Sequence, residues 1–361
     1  MQKISIIGTV GVPASYGGFE TLVENLVIYS DQNRRIESLT VYCSAKAYPD
    51  GKPRLLNAKL RYIPLGANGV QSIPYDIWCL LSAVWQRADT ILLLGVSGAI
   101  ALPFVRIISS ARVVTNIDGV EWKRKKWRGA AKWFLRLSEK LAVRFSHEVI
   151  ADNQGIADYV AKTYGRPCHV IAYGGDHAIA AKPASISQLN LPDHYAFSLC
   201  RIEPENNTHL ILEAFSTQSS LPLVFVGNWK SSLYGRELLL KFGAISQLYL
   251  LDPIYDLGIL RQLRADAKLY IHGHSAGGTN PSLVEMMHFG VPIMAFDCVF
   301  NRYTMEGKGT YFDSSKDLQS CLDNFDTNAL KVIDVEMQKI AQSQYTWEEI
   351  GAQYFKLLTD G

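Results

Sequence analysis

Two α/β domains, each a doubly wound parallel sheet with helices on both faces, are what this sequence predicts, and three observations carry the prediction. Short apolar runs alternate with amphipathic stretches along nearly the whole chain, the pattern that builds parallel sheets. The alternation breaks once, between Ala178 and Asp193, where the text turns rich in Ala, Pro and Ser and loses its period, as a linker does. At 361 residues the chain is long for one core and comfortable for two. The expected layout is a first domain over residues 1–180, a second over 181–340, a deep cleft between them, and a C-terminal helical segment, 341–361, packed across the interdomain side.

Composition narrows the class before any motif does. With 48% hydrophobic and 19% charged residues the chain reads as a soluble globular protein. The net charge of +2 hides an asymmetry: residues 1–176 hold 22 Lys and Arg against 14 Asp and Glu, while residues 177–361 hold 14 against 20. The halves are built to face different partners. Six scattered cysteines without a CxxC pair read as reduced core residues of a cytoplasmic protein. The N-terminus is too short and Gly-broken for a signal peptide. Thr90 to Val105, the longest uncharged run, falls below the roughly 20 residues that cross a bilayer and contains Gly95, Gly98 and Pro103.

The first strand, Lys3 to Thr9, runs into the loop Gly11 to Gly18 and a helix from Phe19 to Tyr29. Strand, Gly-rich loop and helix together cradle phosphate, but GxGxxG is missing and Pro13 interrupts the turn, which disfavours a nicotinamide enzyme. Strands are expected at Ser38–Cys43, Leu60–Pro64, Thr90–Gly95 and Arg112–Ile117, with a helix over Tyr75–Gln86. Asp118-Gly119 follows the last of these, at a strand's carboxyl end, where open parallel sheets bind ligands. Asp-Gly is also a common turn pair, so the pair alone leaves a turn and a catalytic role equally open.

Trp122 to His147 reads as one long basic helix. Lys123, Arg124, Lys125, Lys126, Arg128, Lys132, Arg136, Lys140 and Arg144 stand against Glu139 alone, opposite a stripe of Phe134, Leu137, Leu141 and Phe145. A solvated face would explain some of this. The cation density, with Trp127 and Trp133, favours an anionic membrane surface instead. No nucleic-acid-binding motif accompanies the cations. Glu148–Asp152 and His169–Tyr173 complete the first sheet. After the linker, Tyr195–Cys200, Leu223–Gly227, Gln247–Leu251, Lys268–His272 and Pro292–Phe296 form the second, and helices over Asp334–Gln344 and Thr346–Leu358 close the chain.

The densest chemistry lies in HGHSAGGTNPSLVEMMHFGVPI, His272 to Ile293. A strand ends, a Gly-rich turn through Gly277 and Gly278 follows, Pro281 opens a helix and Gly290 closes it. Such a turn aims backbone N–H groups at an anion. Thr279, Asn280 and Ser282 add short donors. Glu285, one turn into the helix, only accepts hydrogen bonds when ionised, so it suits a ligand with hydroxyls beside its phosphates, as in a nucleotide sugar. Arg201 follows a strand directly and suits bidentate phosphate binding. No Asp-x-Asp pair, serine elbow, Cys-His pair or Walker lysine loop occurs, and His272 and His274 lack a third partner for a metal. The chemistry this predicts is electrostatic and metal-independent.

These segments resemble a known family. The GGFE loop at Gly17–Glu20, the R-x-x-P-E-x-N segment from Arg201 to Asn207, and the Gly-rich turn before E-x-x-x-x-G-V-P resemble the GT-B glycosyltransferases of family 4. GTVGVPASYGGFETLVENL, NIDGVEWKRKKW, CRIEPENNTHLILEAF and GHSAGGTNPSLVEMM resemble, more narrowly, bacterial rhamnosyltransferases that extend lipid-linked surface polysaccharides. The resemblance implies a GT-B fold, with a Rossmann-like acceptor-binding first domain and a Rossmann-like nucleotide-sugar-binding second one. It implies a retaining rhamnosyl transfer from dTDP-rhamnose to a lipid-linked saccharide at the inner face of the cell membrane, with no cofactor. It also implies that Glu285 binds ribose and that Gly277 to Leu283, with Asn207, hold diphosphate and sugar. Arg201 would neutralise the leaving diphosphate, Gly17-Gly18 would close over the donor, and Asp118 would face the reacting sugar. Two positions depart from the family: Gly277 stands where a glutamate is usual, and Asn206 where a lysine is. An epimerase or hydrolase of the same fold, or a non-catalytic membrane-associated subunit, are the alternatives.

Overall fold

The computed structural model describes residues 2–14, 17–34, 38–120, 122, 129–217, 221–324 and 331–360. Fourteen strands are present among them. Those of the first sheet are β1 (Lys3–Ile7), β2 (Ser38–Ser44), β3 (Arg54–Leu55), β4 (Ala58–Ile63), β5 (Thr90–Leu94), β6 (Arg112–Asn116), β7 (Glu148–Ala151) and β8 (His169–Val170). Those of the second are β9 (Ala196–Leu199), β10 (Leu223–Val226), β11 (Leu248–Leu251), β12 (Leu269–His272), β13 (Ile293–Phe296) and β14 (Thr310–Phe312).

The first sheet runs β3-β4-β2-β1-β5-β6-β7-β8 and is parallel except for the two-residue β3, which pairs antiparallel with β4. The second runs β11-β10-β9-β12-β13-β14, all parallel. Strands covered on both faces need apolar residues at every position, which is why β5 (TILLL) and β10 (LVFV) are buried throughout instead of alternating. The strand cores fall where the apolar runs predict them. The short β3 and β14 have no such run and were not expected.

The chain divides into two compact units, residues 1–172 with 347–361, and residues 173–346. The expected boundary at residue 180 lies too late. The Ala/Pro/Ser-rich segment is stitched into the second unit: Ala184 N–H donates to the Gly258 carbonyl at 3.2 Å and Arg261 to that of Ile179 at 3.0 Å. The C-terminal helix Trp347–Thr359 belongs to the first unit, where Phe355 stacks on Tyr29 of the helix Gly18–Gln32 with ring centroids 5.6 Å apart.

The basic helix needs a second correction. It runs Gly129–Phe145, and its innermost face is Leu135, Ser138, Glu139, Ala142 and Val143, while the expected stripe of Phe134, Leu137, Leu141 and Phe145 is only half-buried beside it. The displacement has a cause: Glu139, its lone acid, points inward and accepts from the hydroxyls of Tyr159 at 2.7 Å and Tyr164 at 2.6 Å. Lys123, Arg124, Lys125, Lys126, Trp127 and Arg128 lie outside the described residues. Lys132 and Trp133 are exposed.

Candidate functional site

In the second sheet the chain starts at β9, winds outward through β10 and β11, then returns to lay β12 on the other side of β9. Adjacent loops leaving β9 and β12 therefore part in opposite directions, and the crevice between them is where open parallel sheets take ligands. Arg201 follows β9 and the Gly-rich turn follows β12, so the topology sets both at that crevice.

The two loops are joined by a dense set of hydrogen bonds. Asn206 Nδ2 donates to the Arg201 carbonyl at 2.6 Å, and its Oδ1 pairs with His274 Nδ1 at 2.6 Å. Asn207 Nδ2 donates to the Gly273 carbonyl at 3.0 Å. Ser275 donates to the Glu205 carbonyl through both its N–H (2.9 Å) and its hydroxyl (2.8 Å). A Cβ on Gly273 would sit 2.2 Å from the Asn206 carbonyl oxygen, so glycine is what permits the approach. Asn206, buried at 5%, is a cross-link between loops and has no freedom to substitute for a phosphate-binding lysine. The Arg201 side chain is 44% exposed, with Nη1 3.8 Å from Glu203 Oε1, leaving its fork open to an anion.

The turn itself departs from expectation in part. Gly277 adopts φ +107°, a conformation that strains any L side chain, so the missing glutamate is matched by a backbone that would resist one. Asn280 caps the helix Pro281–Met287, its Oδ1 accepting from Ser282 N–H at 3.0 Å and from the Ser282 hydroxyl at 2.7 Å. Ser282 thus spends its proton inside the cap. Leu283 is fully buried and its N–H bonds the Asn280 carbonyl at 3.0 Å, which makes it a core residue with nothing to offer a ligand. Thr279 is buried at 4%.

Glu285 is held by two residues that sequence reading missed. Arg264, buried at 4% on the helix Leu257–Asp266, hydrogen-bonds one carboxylate oxygen, and His177 Nε2 stands 3.3 Å from the other. Burial alone would raise this carboxyl's pKa; the Arg264 guanidinium and then His177 outweigh it and hold the group below its ordinary value. Two partners leave free lone pairs, since a carboxylate has about four acceptor positions. His177 reaches Glu285 because Gly175 lies directly against the helix: a Cβ there would meet the Glu285 nitrogen at 2.7 Å. The pair Gly174-Gly175 is the signal that could have pointed to this contact.

His272, 3% exposed, is driven well below its ordinary pKa by burial and then by His274, and its Nε2 has no hydrogen-bond partner among the described residues. It is a neutral ring. Among the described residues no cluster of three His, Cys, Asp or Glu could hold a metal ion.

In the first sheet, the loops that follow β1 and β6 leave the same carboxyl edge. Gly8 presses on β5, with a Cβ placed 2.0 Å from the Leu94 carbonyl oxygen. Glu20 of the GGFE loop is buried; its Oε1 accepts from Val10 N–H at 2.8 Å and from the Thr9 hydroxyl at 3.0 Å, tying the loop to the helix that Gly18 begins. Gly17 precedes that helix at φ +129° with Glu20 Oε2 where a Cβ would go. Asp118, just past β6, holds φ +54°, and its N–H donates to Asn116 Oδ1 at 2.9 Å. Positive φ is uncommon outside glycine; aspartate tolerates it better than most residues, in turns and at functional sites alike. Asn116, fully buried, in turn donates to the Tyr354 hydroxyl at 2.7 Å, so the C-terminal helix buttresses Asp118. Neither support was legible in the sequence.

Residues 1–176 match the family described as Domain of unknown function (DUF1972). No curated protein matches the chain. Among solved structures, a sucrose-phosphate synthase from Thermosynechococcus elongatus superposes with a TM-score of 0.83 at 15% identity, covering 99% of this chain and 98% of that one. The HepE protein of Anabaena, solved in complex with UDP, gives 0.73 at 17% identity over 100% of both chains. A candidate UDP-N-acetylglucosamine 2-epimerase from Listeria monocytogenes gives 0.63 at 12% identity over 99% and 96%. At these identities the likeness concerns architecture, and the fold is the two-domain GT-B fold.

Proposed function

We propose that this chain is a glycosyltransferase that moves rhamnose from dTDP-rhamnose, with retention and without a metal ion, to a lipid-linked saccharide at the cytoplasmic face of the membrane during surface polysaccharide synthesis. The observation that carries this reading is the switch point of the second sheet. There, an open guanidinium at Arg201, a Gly-rich turn and the ionised Glu285 supply charge for a diphosphate and acceptors for a ribose. The HepE neighbour, solved with UDP, supports a nucleotide ligand on this architecture. In this reading Glu285 accepts from the ribose hydroxyls while Arg264 and His177 fix its orientation. Arg201 and the turn amides stabilise charge as the diphosphate leaves, and Asp118 contacts the transferred sugar.

The test is incubation with dTDP-rhamnose, competing nucleotide sugars and a lipid-linked saccharide, in buffer containing EDTA. Transfer of rhamnose is expected. Folded protein that transfers from no donor overturns the reading. The Listeria neighbour is the observation that favours a second reading, a nucleotide-sugar epimerase or hydrolase. Nucleotide release at full rate without any acceptor would select it.

A further inference from the structure

The helix Ser72–Trp85 has an unusual outward face. Tyr75, Asp76, Cys79, Leu80 and Ala83 are buried, while Trp78, Leu81 and Trp85, at i, i+3 and i+7, point to solvent, 51%, 39% and 84% exposed. Its one charged residue, Asp76, is inside, so the outer face carries no charge. A shallow groove of about 410 Å³ runs between these side chains, lined by Trp78, Leu81, Ser82 and Trp85.

This helix is not alone. The helices joining β4 to β5, β5 to β6 and β6 to β7 all cross in the same direction, and right-handed crossovers set them on one face of the sheet. Ser72–Trp85 packs beside Leu102–Ile108, and that helix beside Gly129–Phe145. Leu102–Ile108 exposes Phe104 at 55% and Ile107 at 82%, and the third helix exposes Trp133 at 67%. The second and third of these helices also carry exposed Arg106, Lys132, Arg136, Lys140 and Arg144. All residues of the three helices are described, and their only acids, Asp76 and Glu139, are both buried.

We propose that this three-helix face is the surface by which the protein seats on an anionic lipid bilayer, with Trp78, Trp85, Ile107 and Trp133 entering the headgroup boundary and the cations meeting lipid charge. Charge complementarity selects the occupant. A second copy in a two-fold dimer would bring one cation set against the other. A bilayer with anionic headgroups supplies the opposite sign beside an apolar layer, and tryptophan suits that boundary. The inference rests on the proposed function only for the reason to visit a membrane.

The experiment uses the full chain with vesicles of phosphatidylcholine, with and without phosphatidylglycerol. Binding is expected to the anionic vesicles, weakened by about 0.5 M salt, with a blue shift of tryptophan emission and quenching by brominated lipid. The double variant Trp85→Ser, Ile107→Ser should lose at least about tenfold in vesicle partitioning, keep the wild-type melting temperature and leave transfer to a short water-soluble acceptor unchanged. No binding to anionic vesicles, binding indifferent to the serine variant, or a dimer that the serine variant dissolves overturns the proposal. Vesicle binding intact with no transfer by any variant would instead refute the transferase reading and leave this surface standing.

Discussion

Glu285 was legible as the acid of the turn, yet what makes it usable came from residues with no signature of their own. Arg264 sits among ordinary helix residues and His177 behind a glycine pair, distant in sequence and joined only by the fold. Their effect is testable. Glu285→Gln should weaken nucleotide binding and leave the Arg264 charge buried without a counterion, costing roughly 3 kcal/mol of stability at neutral pH, read by denaturant midpoints. Because the carboxyl's folded pKa is lowered, its stabilisation is complete above the unfolded value near 4.5 and is lost as pH falls through the folded value. The wild-type advantage over Glu285→Gln should therefore shrink below about pH 4.5; a gap constant into strong acid would contradict the ion pair. A second residue-scale expectation concerns Asn206. Lysine there would break the bonds to the Arg201 carbonyl and to His274, so Asn206→Lys should lose about 1–3 kcal/mol and gain no affinity for nucleotide, as isothermal titration would show.

Among elements, strands were easiest to see, because a strand buried on both faces must be apolar at every position. The exceptions are physical too: β3 is an edge ribbon of two residues and β14 is only three long, too short to show a period. The helix Gly129–Phe145 was misread in phase because its inner face carries the polar Ser138 and a carboxylate, Glu139, satisfied by two tyrosines, a pairing invisible to hydrophobic patterning. The element that matters most is the turn after β12. Its contact with the β9 loop depends on Gly273, whose absent side chain admits the Asn206 carbonyl. Gly273→Ala should push the loops apart and cost about 1–3 kcal/mol, with a parallel fall in nucleotide affinity. Ser275→Ala, which removes the hydroxyl bond to Glu205 but keeps the backbone one, should cost about 1 kcal/mol or less. Equal losses in the two variants, measured by thermal unfolding, would mean that close approach is not what glycine provides.

At the scale of the molecule, the chain leaves the first unit after residue 172 and re-enters it at 347. The sequence signalled two domains through its alternation, but the return was hidden, since an amphipathic helix does not say which core it covers. Trp347, Ile350, Tyr354, Phe355 and Leu358 are all buried. The end of the helix is tied to sheet positions as well: the Leu357 carbonyl accepts from Arg112, and that of Leu358 from the Thr90 hydroxyl at 3.1 Å and Gln2 at 3.2 Å. Five large apolar side chains at about 1.5–3 kcal/mol each amount to a sum on the order of a whole domain's stability, about 5–15 kcal/mol. Deleting residues 347–361 should therefore unfold the first unit while the second, a compact unit over 173–346, keeps its structure. Limited proteolysis of the shortened chain should then release a resistant fragment beginning near residue 173, with rapid digestion of everything before it. A shortened protein that resists proteases over residues 1–172 would show that the C-terminal helix is an accessory to that core and would remove Tyr354 as the necessary support of Asp118.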